Sequence, residues 1–231
     1  MKRINDFLSS QGSLPAIQLA HAGRKASMQR HWLGNGPLDQ ADHARGELVW
    51  ESVAHGNEPI GPGWLVPHEL SHEELKAVRQ AFVAAAVRAA WPAERPLFYR
   101  ISAIDDVEGG WTIEDSVCLA GGLKALGIDV VDCSSGGIGG SATAAQKPLT
   151  PRVPGFQLPF AAQIRRASGI KTMAVGLIPD GALAEAALQS GQTDLIAIGR
   201  EALNNPHWPL HAAQALGIDP DFGLWPEQYG W

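Results

Sequence analysis

At 231 residues and 24.6 kDa, with 45% hydrophobic residues, the chain is long enough to bury one sizeable core, which excludes disorder as the default. A formal charge of −6 without any run of lysine or arginine excludes a nucleic-acid surface, whose phosphates call for clustered cations, and leaves small-molecule chemistry as the better prior. No apolar stretch reaches membrane length, the N-terminus has no signal-peptide core, and Cys118 and Cys133 lack CxxC spacing or metal-ligating companions. They read as buried thiols of a cytoplasmic protein, without a disulfide framework or metal site.

In chain order, apolar runs rich in β-branched residues alternate with helical patterns, the signature of parallel βα units in an α/β fold. The strands expected are Ala16 to Ala20, Leu97 to Ser102, Val130 to Cys133, Thr172 to Val175 and Leu195 to Ile198, each nearly continuous in apolar residues, as when both faces are covered. The helices expected between and after them are Ser71 to Ala90, Ile113 to Leu126, Leu158 to Ala167, Ala182 to Ser190 and Ala202 to Leu216. Ser71 with Glu74 makes a capping box, and Asp180 opens a helix that stops before Gly191. Residues 27 to 70 read as an extended loop with a small hairpin near Leu48 and Trp64. Residues 134 to 156, with Gly136, Gly137, Gly139 and Gly140 and then Pro148, Pro151 and Pro154, read as a second long loop. Both follow strand ends, which favours pocket lining over disorder.

Polar groups gather where strands end. Ala16-Ile-Gln-Leu-Ala-His-Ala-Gly-Arg-Lys-Ala26 delivers Gln18, His21, Arg24 and Lys25, and Thr193-Asp-Leu-Ile-Ala-Ile-Gly199-Arg200-Glu201 runs into a glycine, an arginine and a helix. Ligands of parallel α/β proteins bind at the C-terminal ends of strands. With Pro96-Leu-Phe-Tyr-Arg100-Ile-Ser, Gly127-Ile-Asp-Val-Val-Asp-Cys133-Ser-Ser-Gly-Gly137 and Ala174-Val-Gly176-Leu-Ile, this text resembles the Old Yellow Enzyme family of FMN-dependent ene-reductases, in its bacterial NADPH dehydrogenase and xenobiotic reductase branch. The motifs stand in family order and cover nearly the whole chain.

The resemblance implies a TIM-type (β/α) barrel, here incomplete with about five parallel strands and read as a single FMN-binding domain over residues 1–231. The implied activity is hydride transfer from NADPH or NADH through FMN to an activated alkene or other small electrophile. Gln18 resembles the glutamine on the flavin pyrimidine edge, and Arg100 the arginine beside N1 and O2, a role its context favours over a strand-end salt bridge. Gly176, Gly199 and Arg200 resemble the phosphate cradle, where glycine admits backbone N–H groups close to phosphate oxygens and arginine pairs with them bidentately. His21 bonds substrate or flavin, or anchors its loop; Ser134 and Ser135 approach the phosphate side or form a tight turn. His31, His43, His55, His68 and His72 lack metal spacing, and solvation accounts for them. The aromatic tail Trp225 to Trp231 is of the kind that reaches a neighbouring subunit in this branch, which leaves a homo-oligomer open.

Part of the pattern has no counterpart. The family's first two strands are not found, and at Ala84-Ala-Ala-Val-Arg-Ala-Ala-Trp-Pro92 a helix runs on where family members carry a fourth strand with a His-x-x-His or His-x-x-Asn pair and a nearby tyrosine. Those groups would hold the substrate carbonyl and donate the proton, so no catalytic residue is assigned. A catalytically impaired remnant is the alternative to an enzyme.

Overall fold

The computed structural model describes residues 2–88, 95–106, 108–135 and 150–229. The chain divides into two compact units, Met1–Pro92 and Ala93–Trp231, whereas the sequence reading took it as a single domain.

In the first unit, α1 (Lys2–Ser10) is followed by a 3-10 turn at Gly23–Lys25, another at His31–Leu33, α2 (Gln40–Ala44), β1 (Val53–Ala54), β2 (His68–Glu69) and α3 (His72–Arg88). The strand expected at Ala16 to Ala20 does not form. Its residues pair with nothing in a sheet, and Ile17 is 58% exposed. A parallel strand is stabilised by ladder bonds to neighbours, and among the described residues no strand lies beside this segment. The hairpin expected near Leu48 and Trp64 is also absent. In its place β1 and β2 pair in parallel, Val53 opposite His68 and Ala54 opposite Glu69, while an antiparallel bridge joins Met28 and Pro37. Parallel pairing needs a crossover, which the Gly- and Pro-rich residues 55–67 provide.

The start of α3 follows the expected chemistry. The Glu74 carboxylate accepts from the Ser71 N–H at 2.8 Å and hydroxyl at 2.7 Å, and the Ser71 hydroxyl accepts from the Glu74 N–H at 3.3 Å. These bonds, with His68 at 3.0 Å, hold the Glu74 carboxyl down at about 2. The last residues of that expected helix, 89 and 90, lie outside the described residues, as do Gly136, Gly137, Gly139, Gly140 and Pro148 of the second long loop.

The second unit is a run of βα steps: β3 (Phe98–Ser102), α4 (Ile113–Ala125), β4 (Val130–Ser134), α5 (Leu158–Ser168), β5 (Lys171–Ala174), α6 (Gly181–Gln189), β6 (Leu195–Ile196), α7 (Arg200–Asn204) and α8 (Trp208–Ala215). Its four strands are parallel and lie side by side in chain order, β3-β4-β5-β6. Sequential order without a reversal is the winding of a β/α barrel and not of a doubly wound sheet. Alternate residues divide between the two faces. Ile101, Cys133 and Ala174 turn toward α4, α5 and α6, where Ala120, Leu123, Ala161, Ile164 and Ala187 complete the core. The register places Arg100, Asp132, Met173 and Leu195 in one row across the other face.

Burial follows position in the sheet. Every residue of β4 from Val130 to Cys133 is buried, as expected between two neighbours, but β3 is an edge strand among the described residues and only Ile101 of it is buried. The helix expected from Ala202 to Leu216 is broken into α7 and α8. Asn205, forced out of the helical region by the following proline, stands at φ −130° and ψ 86°, and Pro206 can donate no helical bond. β6 stops at Ile196, short of the expected Ile198, with one further bond from the Ala197 N–H to the Ala174 carbonyl. Cys118 is exposed, contrary to expectation, because Ser116, Ala120 and Leu123 form the core-facing stripe of α4 and position 118 points away from it. Beneath the sheet, Arg165 grips Asp194 through Nε at 2.9 Å and Nη2 at 3.1 Å, while the Thr172 N–H donates to the same carboxylate at 2.9 Å. Burial would raise the Asp194 carboxyl, but these bonds and charges outweigh it and hold it low.

Candidate functional site

β5 and β6 are neighbours, and each ends in a glycine. Gly176 lies two residues beyond Ala174, in the left-handed region at φ +108°. Gly199 lies three residues beyond Ile196 and caps α7, whose first residue is Arg200. Among the described residues the N–H groups of Gly176, Gly199 and Arg200 have no acceptor, and the exposed Arg200 guanidinium has no partner. A Cβ at Gly199 would meet nothing within 4 Å, so the space on the side-chain side of that residue is open. Adjacent unpaired donors and an unpaired guanidinium at the C-terminal rim of parallel strands form an anion-binding arrangement. FMN, whose phosphate is such an anion, fits it.

Gly176 is crowded on its other side. A Cβ there would come within 2.5 Å of the end of the Gln157 side chain and 3.0 Å of its Cγ. Gln157 is buried and stands as the residue before α5. In the orientation that satisfies both ends of its amide, Oε1 accepts from the Ser135 hydroxyl at 2.7 Å and the Ser135 N–H at 2.8 Å, and Nε2 donates to the Val175 carbonyl at 3.2 Å. Ser135 is thus held by a side chain from another loop, and the glycines after it lie outside the described residues.

Arg100 is paired. Its Nη1 donates to Asp132 Oδ2 at 2.7 Å, the strand-end salt bridge that the sequence reading disfavoured. The guanidinium side chain is 41% exposed and the carboxylate side chain 8%, so the remaining guanidinium donors stay available while the acid is buried. Burial raises the Asp132 carboxyl, and the charge and hydrogen bond of Arg100 offset this only in part. Its Oδ1 is buried without a partner. Next to it, burial and then the Asp132 charge push the Cys133 thiol up to about 12.

Most of the remaining sequence candidates belong to the first unit. Gln18 is exposed and makes no hydrogen bond among the described residues. His21 Nδ1 accepts from the Gly23 N–H at 3.2 Å, which is the loop-anchoring role. Arg24 Nη2 lies 3.2 Å from His55 Nε2, and desolvation lowers the Lys25 amine. His43 meets the Glu47 carbonyl at 3.3 Å and His68 meets Glu74, so these histidines and His55 have protein partners as well as solvent. No cluster of metal-ligating side chains occurs among the described residues, and none of their helices is long and apolar enough to cross a membrane. Trp225, at the start of the expected tail, packs on its own unit between His207 and His211, with ring centroids 5.5 Å and 5.3 Å away. Trp231 lies outside the described residues.

Sequence reasoning missed Gln157 and Asp132. Asp132 could have been found from its position, since an acid inside an apolar strand one register step from an arginine asks for a partner. Gln157 gives no such signal.

Sequential parallel strands with a phosphate-type rim at the last two βα loops define a flavin- or phosphate-binding β/α barrel protein, here a partial one. The sequence pattern of the NADH:flavin oxidoreductase / NADH oxidase family matches residues 86–218. The NADPH dehydrogenase of Listeria innocua serovar 6a is 33% identical over 250 residues, covering 94% of this chain and 71% of its own. That of Geobacillus sp. (strain WCH70) is 46% identical over 254 residues with the same coverage. Among solved structures, a 2-naphthoyl-CoA reductase superposes with a TM-score of 0.68 at 19% identity, covering 95% of this chain and 40% of the other. The histamine dehydrogenase of Rhizobium sp. 4-9 gives 0.61 at 18%, covering 95% and 37%. These two likenesses bear on the fold alone, that of an α/β barrel.

The chain belongs to the NADH:flavin oxidoreductase / NADH oxidase family, and so to the enzymes that use FMN and a reduced nicotinamide. An alignment of 250 positions is longer than the 231-residue chain itself, so this chain lacks a segment internal to that alignment.

Proposed function

We propose that this chain holds FMN by its phosphate at the rim of β5 and β6 and passes hydride from NADPH or NADH to a small electrophile, an activated alkene among them. The observation that carries this reading is the set of unpaired N–H groups of Gly176, Gly199 and Arg200 beside the unpaired Arg200 guanidinium. When bound, the flavin supplies a two-electron carrier between nicotinamide and acceptor. The protein's part is to bind and tune. Gly176 and Gly199 present backbone donors, and Arg200 supplies a charge-assisted pair to the phosphate. Arg100, braced by Asp132, keeps a fixed positive charge for the reduced ring. We assign the chain to the cytoplasm, and a homo-oligomer through the C-terminal tail belongs to the same reading.

Purification decides the first step. The protein is expected to be yellow, to release FMN on denaturation and to bleach anaerobically with NADPH. A colourless protein that takes up no added FMN would overturn the proposal.

A further inference from the structure

Gly155 and Gln157 bond to residues just past the ends of β4 and β5, two neighbours whose pairing stops at Cys133 and Ala174. The Gly155 N–H donates to the carbonyls of Gly176 at 3.1 Å and Leu177 at 2.9 Å. Two residues on, the Gln157 amide ties Ser135, just past β4, to the Val175 carbonyl, just past β5. Val175 and Gly176 share a trans peptide unit, so the carbonyl that Gln157 holds and the N–H of Gly176 lie in one plane and point in opposite directions. Fixing that carbonyl therefore fixes the direction of the N–H. Gly176 stands at φ +108° with the Gln157 side chain in the space a Cβ would need. Both the conformation and the crowding exclude other residues there.

We infer that Gln157 is a positioning residue for phosphate. It touches no part of the anion itself but aims the Gly176 N–H by gripping the Val175 carbonyl, and it locks the β4 and β5 ends together through Ser135. This rests on the proposed phosphate rim. Burial of an amide with all three of these bonds made is costly to disturb, because each group left behind is then desolvated and unpaired.

The test compares FMN with riboflavin, which lacks the phosphate. Binding of each to apo-protein is followed by quenching of flavin fluorescence for wild type, Gln157→Ala, Gln157→Glu, Gly176→Ala and Arg200→Ala. Gln157→Ala is expected to weaken FMN about tenfold, the effect of about one hydrogen bond, and riboflavin less than about twofold. Gly176→Ala, which drives the glutamine aside, should lower the same ratio without altering Gln157 itself. Gln157→Glu keeps the acceptors for Ser135 but loses the donor to Val175, and its selective loss of FMN should be relieved as acid protonates the new carboxyl. An unchanged ratio in the Gln157 variants, with a lowered ratio in Arg200→Ala, would overturn the role of Gln157 and leave the phosphate rim standing. Equal losses of FMN and riboflavin would show a merely structural residue and overturn it too. An unchanged ratio in Arg200→Ala as well would remove the rim itself.

Discussion

Arg100 braces a buried acid, and in the proposed function it meets a second demand, a positive charge beside the flavin. Asp132 is held above the ordinary carboxylate range by burial. A group whose value is raised on folding contributes stability that is present at low pH and lost as pH rises through the raised value. Arg100→Ala removes the partner that lowers it, so the variant should lose on the order of 1–3 kcal/mol near neutral pH, and the deficit should shrink as pH falls and Asp132 takes up its proton. Urea unfolding of both proteins across that range checks this, and Asp132→Asn added to Arg100→Ala should flatten the pH dependence. If FMN binds to Arg100→Ala, its reduction potential should fall. Arg200 has no such structural duty among the described residues. Arg200→Ala is expected to weaken FMN by roughly 1.5–3 kcal/mol with little change in the melting temperature of the apo-protein; equal FMN affinity would take it out of the site. The thiols report on burial. At mildly alkaline pH a thiol reagent should modify the exposed Cys118 and spare Cys133, whose value is pushed up to about 12, until denaturant is added.

Elements whose causes are local were legible in the sequence. The capping box at Ser71, the Asp180 cap, the helices α4, α5 and α6 and the four strands of the second unit's sheet stand within a residue or two of expectation. What failed was non-local or overridden. Ala16 to Ala20 has the composition of a strand, but composition cannot supply the neighbours that make one. Pro206 is a helix breaker by chemistry alone, and an expectation of one helix from Ala202 to Leu216 runs through it. In the site, the glycines and Arg200 were visible as types at strand ends, whereas Gln157 acts on residues 18 and 22 positions away and leaves no periodic trace. One local device passed unnoticed. The Thr112 hydroxyl accepts from the Asp115 N–H, and Asp115 returns to the Thr112 N–H at 2.9 Å, a full capping box that opens α4. Thr112→Ala should cost about 1 kcal/mol, read as a lowered urea midpoint at unchanged slope.

At the scale of the whole chain, the flavin half of the family's text is present and the substrate half is reduced. The family match begins at residue 86, close to the boundary of the two compact units at Pro92 and Ala93 and to the join where the fourth strand was expected. Losing one donor to a developing oxyanion typically costs 100- to 1000-fold in rate. Without the orienting pair and the proton donor, flavin-loaded protein should therefore oxidise NADPH with oxygen or quinones far faster than it reduces cyclohexenone. Anaerobic assays beside a full-length relative check this, and comparable ene-reduction would mean that other side chains have replaced the missing ones.

The order β3-β4-β5-β6, all parallel, makes each strand and its returning helix a step of one hand, whatever the length of its loops. Excision of a whole number of steps leaves every later strand with its original direction and its glycine on the same rim. Excision of a strand without its helix would invert everything downstream. A join from the end of one helix to the end of another, which the text at Val87-Arg88-Ala89-Ala90 permits, preserves this phase. A chain of this kind can thus be shortened by a module without rewriting the portion proposed to grip phosphate, and the polarity of the strand ends is kept.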